Sequence, residues 1–222
     1  MIDTIQKNLD AITMRIEGAL KRAGRHSSDA TLIPVTKMVG LEEIRSLYDL
    51  GFREMGENRP NVAEPKILAA PKDIRWHMMG SIQRRKTRDV VGLFDRIDSV
   101  DRAELVTELE KRCAEAGKTM EILLQINVSA EESKHGFTPK VLSDTLNTVQ
   151  SCPHLNTVGL MTMAPAEAKE NEIRGYFREL KHLADDNGLS VLSMGMTNDF
   201  EIAIEEGATE IRIGTALYKT PE

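Results

Sequence analysis

A chain of 222 residues with 41% hydrophobic and 29% charged side chains can bury one substantial core and needs no second domain, so a single domain over residues 1–222 is expected. Its formal net charge of -6 argues against a general nucleic-acid binder, and no apolar run approaches the roughly eighteen residues of a membrane span. Two cysteines without metal-type spacing, Cys113 and Cys152, five histidines in no ligand motif and no start-of-chain signal peptide lead to the expectation of a cytoplasmic protein with no structural metal.

The chain opens with a periodic segment in which Ile2, Ile5, Leu9, Ile12, Ile16, Ala19 and Leu20 recur at steps of three and four residues, one apolar face of a helix. A short apolar run, Thr31-Leu32-Ile33-Pro34-Val35-Thr36, then ends at Lys37 and predicts a strand whose alternation puts Ile33, Val35 and Lys37 on one face. An amphipathic helix over residues 41–50 stops at Gly51, and a second strand ends in Gly56-Glu57-Asn58. A third, Arg75-Trp76-His77-Met78-Met79, ends at Gly80. The basic run Arg84-Arg85-Lys86-Thr87-Arg88 reads as a solvated face at a helix start.

Arg96-Ile97-Asp98-Ser99-Val100 is the fourth strand, and Asp101-Arg102-Ala103-Glu104 resembles a capping box opening a helix with Leu105, Leu109 and Cys113 on its inner face. The fifth strand runs from Glu121 into Gln125-Ile126-Asn127. Thr138-Pro139 then opens a helix carrying Val141, Leu142, Leu146 and Val149. Thr157-Val158-Gly159-Leu160-Met161 is the sixth strand, followed by a helix with Ile173, Tyr176, Phe177, Leu180 and Leu183. Ser190-Val191-Leu192-Ser193-Met194 and Glu210-Ile211-Arg212-Ile213-Gly214 are the seventh and eighth, separated by a short helix stopped at Gly207.

About eight strands alternating with helices, without a linker, predict a parallel (β/α)8 TIM barrel. An open doubly wound sheet is the alternative, but its glycine-rich dinucleotide turn is missing. Only residues 215–222 follow the eighth strand, so the helix preceding strand one is expected to complete the outer ring.

In such a barrel the loops after strands seven and eight commonly form a phosphate site from backbone amides and a helix N-terminus. Met194-Gly195-Met196-Thr197-Asn198-Asp199 and Arg212-Ile213-Gly214-Thr215 supply glycines, hydroxyls and a strand-borne cation there. Read singly, Thr197 is a cap and Gly214 a turn. Joined with Lys37 in one barrel mouth, they suit a phosphorylated aldehyde held as an imine, and pyridoxal 5'-phosphate is such a molecule. Lys37 would form the Schiff base, Thr197 and Thr215 would hold the phosphate, and Arg212 would face the pyridine ring. A permanently charged donor there opposes ring protonation and weakens the electron sink.

Val35-Thr36-Lys37, Gly56-Glu57-Asn58, Trp76-His77-Met78-Met79-Gly80, Gln125-Ile126-Asn127, Glu132-Ser133-Lys134-His135-Gly136, Gly159-Leu160-Met161, the Leu192 to Phe200 run and Arg212-Ile213-Gly214-Thr215 occur in order along nearly the whole chain. In these motifs the chain resembles the pyridoxal-phosphate homeostasis protein family, single-domain relatives of the alanine-racemase barrel. The resemblance implies a protein that carries or buffers the cofactor within vitamin B6 and amino-acid/keto-acid homeostasis, without established catalytic turnover and with room for a weak racemase-like or transamination side activity. By the match Lys37 takes the imine position and Arg212 the ring-nitrogen position, while Asn58, His77, Ser193, Thr197, Gly214 and Thr215 fall in motifs lining the cofactor or its phosphate. Apoenzymes that need the cofactor are the implied recipients, and a monomer is expected. The chain departs from the family at Gly80-Ser81-Ile82-Gln83-Arg84-Arg85-Lys86, at Arg59-Pro60 and at Tyr218-Lys219.

Two other functions share these residues. An amino-acid racemase needs acid/base groups on both faces of the cofactor, in the related racemases a tyrosine from an additional domain, and of Tyr48, Tyr176 and Tyr218 only the last is placed to approach the mouth. A Schiff-base aldolase would use Lys37 and the phosphate loops without any cofactor. Met79, Met161, Met194 and Met196 near the mouth are expected to pack the core.

Overall fold

The computed structural model describes residues 2–129, 131 and 134–219. Eight parallel strands follow one another around a barrel: β1 (Thr31–Pro34), β2 (Glu54–Glu57), β3 (Arg75–Met78), β4 (Arg96–Val100), β5 (Met120–Gln125), β6 (Leu155–Met161), β7 (Val191–Ser193) and β8 (Glu210–Ile213). β1 pairs in register with β8, Thr31 opposite Glu210 and Pro34 opposite Ile213. The last seam, between β1 and β2, is closed by the parallel bridge of Val35 with Gly56, where the Thr36 N–H donates to the Gly56 carbonyl at 2.9 Å. This closure excludes the open doubly wound alternative.

The helices are α1 (Ile2–Arg22), α2 (Leu41–Asp49), α3 (Pro60–Ala69), α4 (Thr87–Leu93), α5 (Ala103–Ala116), α6 (Leu142–Gln150), α7 (Glu170–Asp186), α8 (Phe200–Glu205) and α9 (Thr215–Tyr218). α1 packs against α8 and α2 and fills the outer-ring position that precedes β1. It buries Ile5, Ile12, Ile16, Ala19 and Leu20, while Arg15 and Arg22 pair with Glu201 and Glu205 of α8. The Asn8 amide donates to the Leu217 and Lys219 carbonyls at 3.0 and 2.7 Å, tying α1 to the segment after β8.

Several elements differ from the sequence expectation. α3 and α4 leave little periodic trace: α3 holds Pro60 and Pro65 and buries only Ala63 and Lys66, and α4 is barely two turns long. Proline at the first helical position costs nothing, because its missing N–H would lack an intrahelical partner anyway. The capping box at Asp101 does not form. Arg102 is the N-cap of α5 without a side-chain cap, and Asp101 pairs with the Arg102 guanidinium instead. At its other end α5 stops where Gly117 takes the left-handed conformation (φ +60°), as expected of a helix-terminating glycine. Thr138-Pro139 opens a single 3-10 turn before α6.

Alternation along each strand divides the interior in two. Outward side chains such as Trp76, Met78, Ile97 and Ile122 join the helices in one continuous apolar core. Inward side chains form a small apolar plug of Ile33, Val35 and Met79, with charged residues packed beneath and beside it. No helix among the described residues is long and apolar enough to cross a membrane.

Candidate functional site

The C-terminal ends of the strands surround a cavity of about 560 Å³, within the range of small-molecule sites. Lys37, Asn58, Thr197, Arg212, Gly214 and Thr215 all line it. They come from β1, β2, the loop after β7, and β8 with the turn after it, so chain segments about 180 residues apart meet in one mouth. Lys37 itself is exposed and follows a fully buried Thr36, whose hydroxyl donates to Glu57 Oε1 at 2.7 Å.

Arg212 is the charged floor of this cavity. Its guanidinium is buried, with Nη1 donating to Ser193 Oγ at 2.7 Å and Nη2 to the Thr162 carbonyl at 2.9 Å. Burial pulls it below the ordinary arginine range, against the attraction of Asp98, Asp199 and Glu210. Those two hydrogen bonds use two of the five N–H groups of a guanidinium that also lines the cavity. Ser193 is therefore a contact of Arg212 rather than a lining residue. Asp199, also in the lining, accepts the Met196 N–H at 2.6 Å, and burial holds its carboxyl above the usual range. The N–H groups of Thr197, Asn198 and Gly214 donate to no backbone carbonyl among the described residues.

His77 is not part of this lining. Strand alternation puts both His77 and Met79 on the inner face of the barrel, but Met79 reaches the cavity and His77 lies one layer below, fully buried beside Asp98 and Glu210. Both imidazole nitrogens lack a hydrogen-bond partner among the described residues. Burial, reinforced by the positive charge of Arg96, lowers its pKa to about 3. His77, Asp98 and Glu210 have ligand-type atoms within 4.8 Å of one another, yet Arg96 already bridges the carboxylates, Nε to Asp98 at 2.7 Å and Nη1 to Glu210 at 2.8 Å. A guanidinium satisfies the charge that a cation would otherwise supply there.

Sequence reading missed the part of the wall made by the loop after β6, where Met163, Ala164, Pro165 and Ala168 line the same cavity as Lys37. Its signal was position alone, a loop at the C-terminal end of a barrel strand. Of the methionines near the mouth, Met79, Met161 and Met196 line the cavity, while Met194 is in the outer core. Tyr218 does not line it either: at the end of α9, its hydroxyl donates to the Val35 carbonyl at 3.2 Å. Tyr48 and Tyr176 are on the outer helices α2 and α7. Glu132 and Ser133 of the motif after β5 lie outside the described residues.

The family model for the alanine racemase N-terminal domain matches residues 8–221. A pyridoxal phosphate homeostasis protein from Aquifex aeolicus is 37% identical over 219 residues, covering 96% of each chain. Among solved structures, a protein of unknown function from Bifidobacterium adolescentis superposes with a TM-score of 0.91 at 30% identity, covering 98% of this chain and 95% of its own. PipY of Synechococcus elongatus PCC7942, solved with PLP bound, superposes with a TM-score of 0.78 at 30% identity, covering 92% of this chain and 100% of its own. With a barrel matched from end to end and the motif residues gathered at its mouth, this chain belongs to the pyridoxal phosphate homeostasis proteins of the alanine racemase N-terminal domain family.

Proposed function

We propose that this protein binds pyridoxal 5'-phosphate as a Schiff base with Lys37 and carries or buffers it for amino-acid and keto-acid metabolism. The observation that supports this most is the convergence of an exposed lysine, a buried arginine with uncommitted N–H groups and two hydroxyl-bearing turns on one cavity. When bound, the cofactor supplies an aldehyde that an amine can capture and a ring that can draw electrons.

The residues present fit such a ligand. At Gly214 an added Cβ would come no closer than 3.5 Å to the Val35 carbonyl, so protein packing does not demand a glycine; space kept for a ligand explains it. Thr197 and Thr215 offer hydroxyls beside free backbone N–H groups, a donor set suited to a phosphate. Arg212, fixed by Ser193 and Thr162, would donate to the ring nitrogen and keep it unprotonated. Asn58 closes the side nearest β3.

The same arrangement disfavours the racemase reading. Racemisation needs a proton donor or acceptor on each face of the substrate, and no tyrosine among the described residues lines the cavity. A one-sided, solvent-facing amine suits loading and unloading, with apoenzymes as recipients. Borohydride reduction followed by mass spectrometry tests the assignment. Purified protein should absorb near about 420 nm, bleach on reduction and carry the modification on Lys37. Protein that stays colourless with added cofactor would support the cofactor-free aldolase instead, and colour persisting in Lys37→Ala would show that another amine is the anchor.

A further inference from the structure

Behind Lys37 lies a buried ion pair that no motif in the chain suggests. Lys66 of α3 is 8% exposed, and its Nζ donates to the Thr36 carbonyl at 2.9 Å, to the Val39 carbonyl at 3.4 Å and to Glu57 Oε1. Glu57 is fully buried; its Oε1 also accepts the Thr36 hydroxyl at 2.7 Å, and its Oε2 has no hydrogen-bond partner among the described residues. Val39 N–H returns to the Thr36 carbonyl at 3.1 Å, so residues 36–39 form a tight turn with Lys37 and Met38 at its exposed tip.

We infer that Lys66, with Glu57, is a positioning residue that fixes where the Lys37 amine stands. A buried ion pair seldom stabilises a fold more than well-packed apolar side chains of the same volume would. Its retention here calls for a role that apolar packing cannot fill. The ammonium ties both ends of the Lys37 turn to one point, and the carboxylate joins that point to β2, one residue before Asn58 enters the cavity lining. Without the pair, the turn carrying Lys37 would still be anchored at its start, where the Thr36 N–H donates to the Gly56 carbonyl and the Val35 N–H to the Ile213 carbonyl. Its Val39 end would lose the tie to β2, and the amine could shift relative to Arg212 and Thr215 on the neighbouring strand.

This inference rests on Lys37 being the imine-forming amine, and the experiment separates the two. In full-length protein, the double variant Lys66→Met/Glu57→Gln removes the pair without stranding a charge, and Thr36→Val deletes only the hydroxyl that anchors Glu57. Pyridoxal phosphate is titrated, and the fraction of bound cofactor that borohydride traps on Lys37 is measured beside the thermal midpoint. The double variant should trap at least about tenfold less at equal bound cofactor, since ångström-scale misplacement of a reacting group can cost roughly a hundredfold. Its thermal midpoint should stay near that of the wild type. Trapping within twofold of wild type in a folded double variant overturns the positioning role. Should that variant fail to fold, Thr36→Val decides: reduced trapping at an unchanged midpoint supports the role, and unchanged trapping ends it. A wild-type protein that forms no adduct on Lys37 removes the functional assignment and this inference together.

Discussion

Replacing His77 with glutamine should make the fold more tolerant of acid. The imidazole is fully buried, and burial together with the Arg96 charge lowers its pKa from 6.5 to about 3. An unfolded chain therefore binds a proton at this position over a pH range where the folded chain does not. The stabilisation is complete above pH 6.5 and is lost as the pH falls toward 3, because protons drawn to the unfolded state pull the equilibrium that way. Between pH 7 and pH 4 the loss amounts to roughly 3 kcal/mol. At roughly 2.1 cal/mol/K of unfolding entropy per residue over a chain of this length, that is about 6–7 °C in thermal midpoint. Urea melts of wild type and His77→Gln at pH 7, 6, 5 and 4 read the difference directly, with other titrating groups cancelling between the two proteins. Stability curves that run parallel within about 1 kcal/mol across that range, against an expected gap near 3, would refute the account. Since His77 lies beneath the cavity and not in its lining, Lys37 trapping by borohydride should be unchanged in the variant.

Removing residues 2–23 strips Ile5, Ile12, Ile16 and Leu20 from the core, a gross loss of about 6–12 kcal/mol, comparable with the roughly 5–15 kcal/mol of a whole domain. The truncated chain should show no cooperative melt, and a wild-type transition would refute the outer-ring role of α1. Cys113 is fully buried and its thiol is pushed up to about 11 by that burial, so a thiol reagent at pH 8 should label the half-buried Cys152 first and reach Cys113 only in denaturant. Equal rates in the native protein would contradict this. Gly195→Ala places a Cβ 2.5 Å from the Ala203 Cβ at φ +92° and should cost about 2 kcal/mol or more in a urea melt. Gly214→Ala meets no such clash and should melt like wild type while releasing pyridoxal phosphate more readily in dialysis; the opposite pattern would remove Gly214 from the phosphate cradle.

Much of the barrel was legible because its strands announce themselves twice, by apolar runs and by what bounds them. β4, Arg96–Val100, is read to the residue since Phe94-Asp95 and Asp101 bracket it, and the ends of α2 and α5 fall beside Gly51 and Gly117. α3 was missed because it carries no periodic apolar face. It buries an alanine and a lysine, and it holds two prolines, residues that usually interrupt a helical pattern. The polar barrel interior was equally hidden. Arg96, Asp98 and Glu210 appear in sequence as the ordinary charges of a solvated strand end, and only closure of the sheet turns them inward together.

Of the residues named from sequence, Lys37, Asn58, Thr197, Arg212, Gly214 and Thr215 line one cavity while His77 and Ser193 do not, and the difference lies in which way each side chain faces. Motif adjacency names strand ends that border the cavity, yet consecutive residues there point in opposite directions, so each motif holds both lining and support. In Gly56-Glu57-Asn58, Asn58 reaches the cavity while Glu57 turns behind β1 to meet Lys66. In Trp76-His77-Met78-Met79, Met79 forms the lining, His77 the layer beneath it, and Trp76 and Met78 pack outward. Ser193 and Arg212 repeat the pattern across two strands, one holding the other. A single slip in that alternation would exchange lining for support throughout the mouth. It follows that the buried polar contacts behind Lys37 and Arg212, which no spacing rule detects, set where the residues lining this cavity stand.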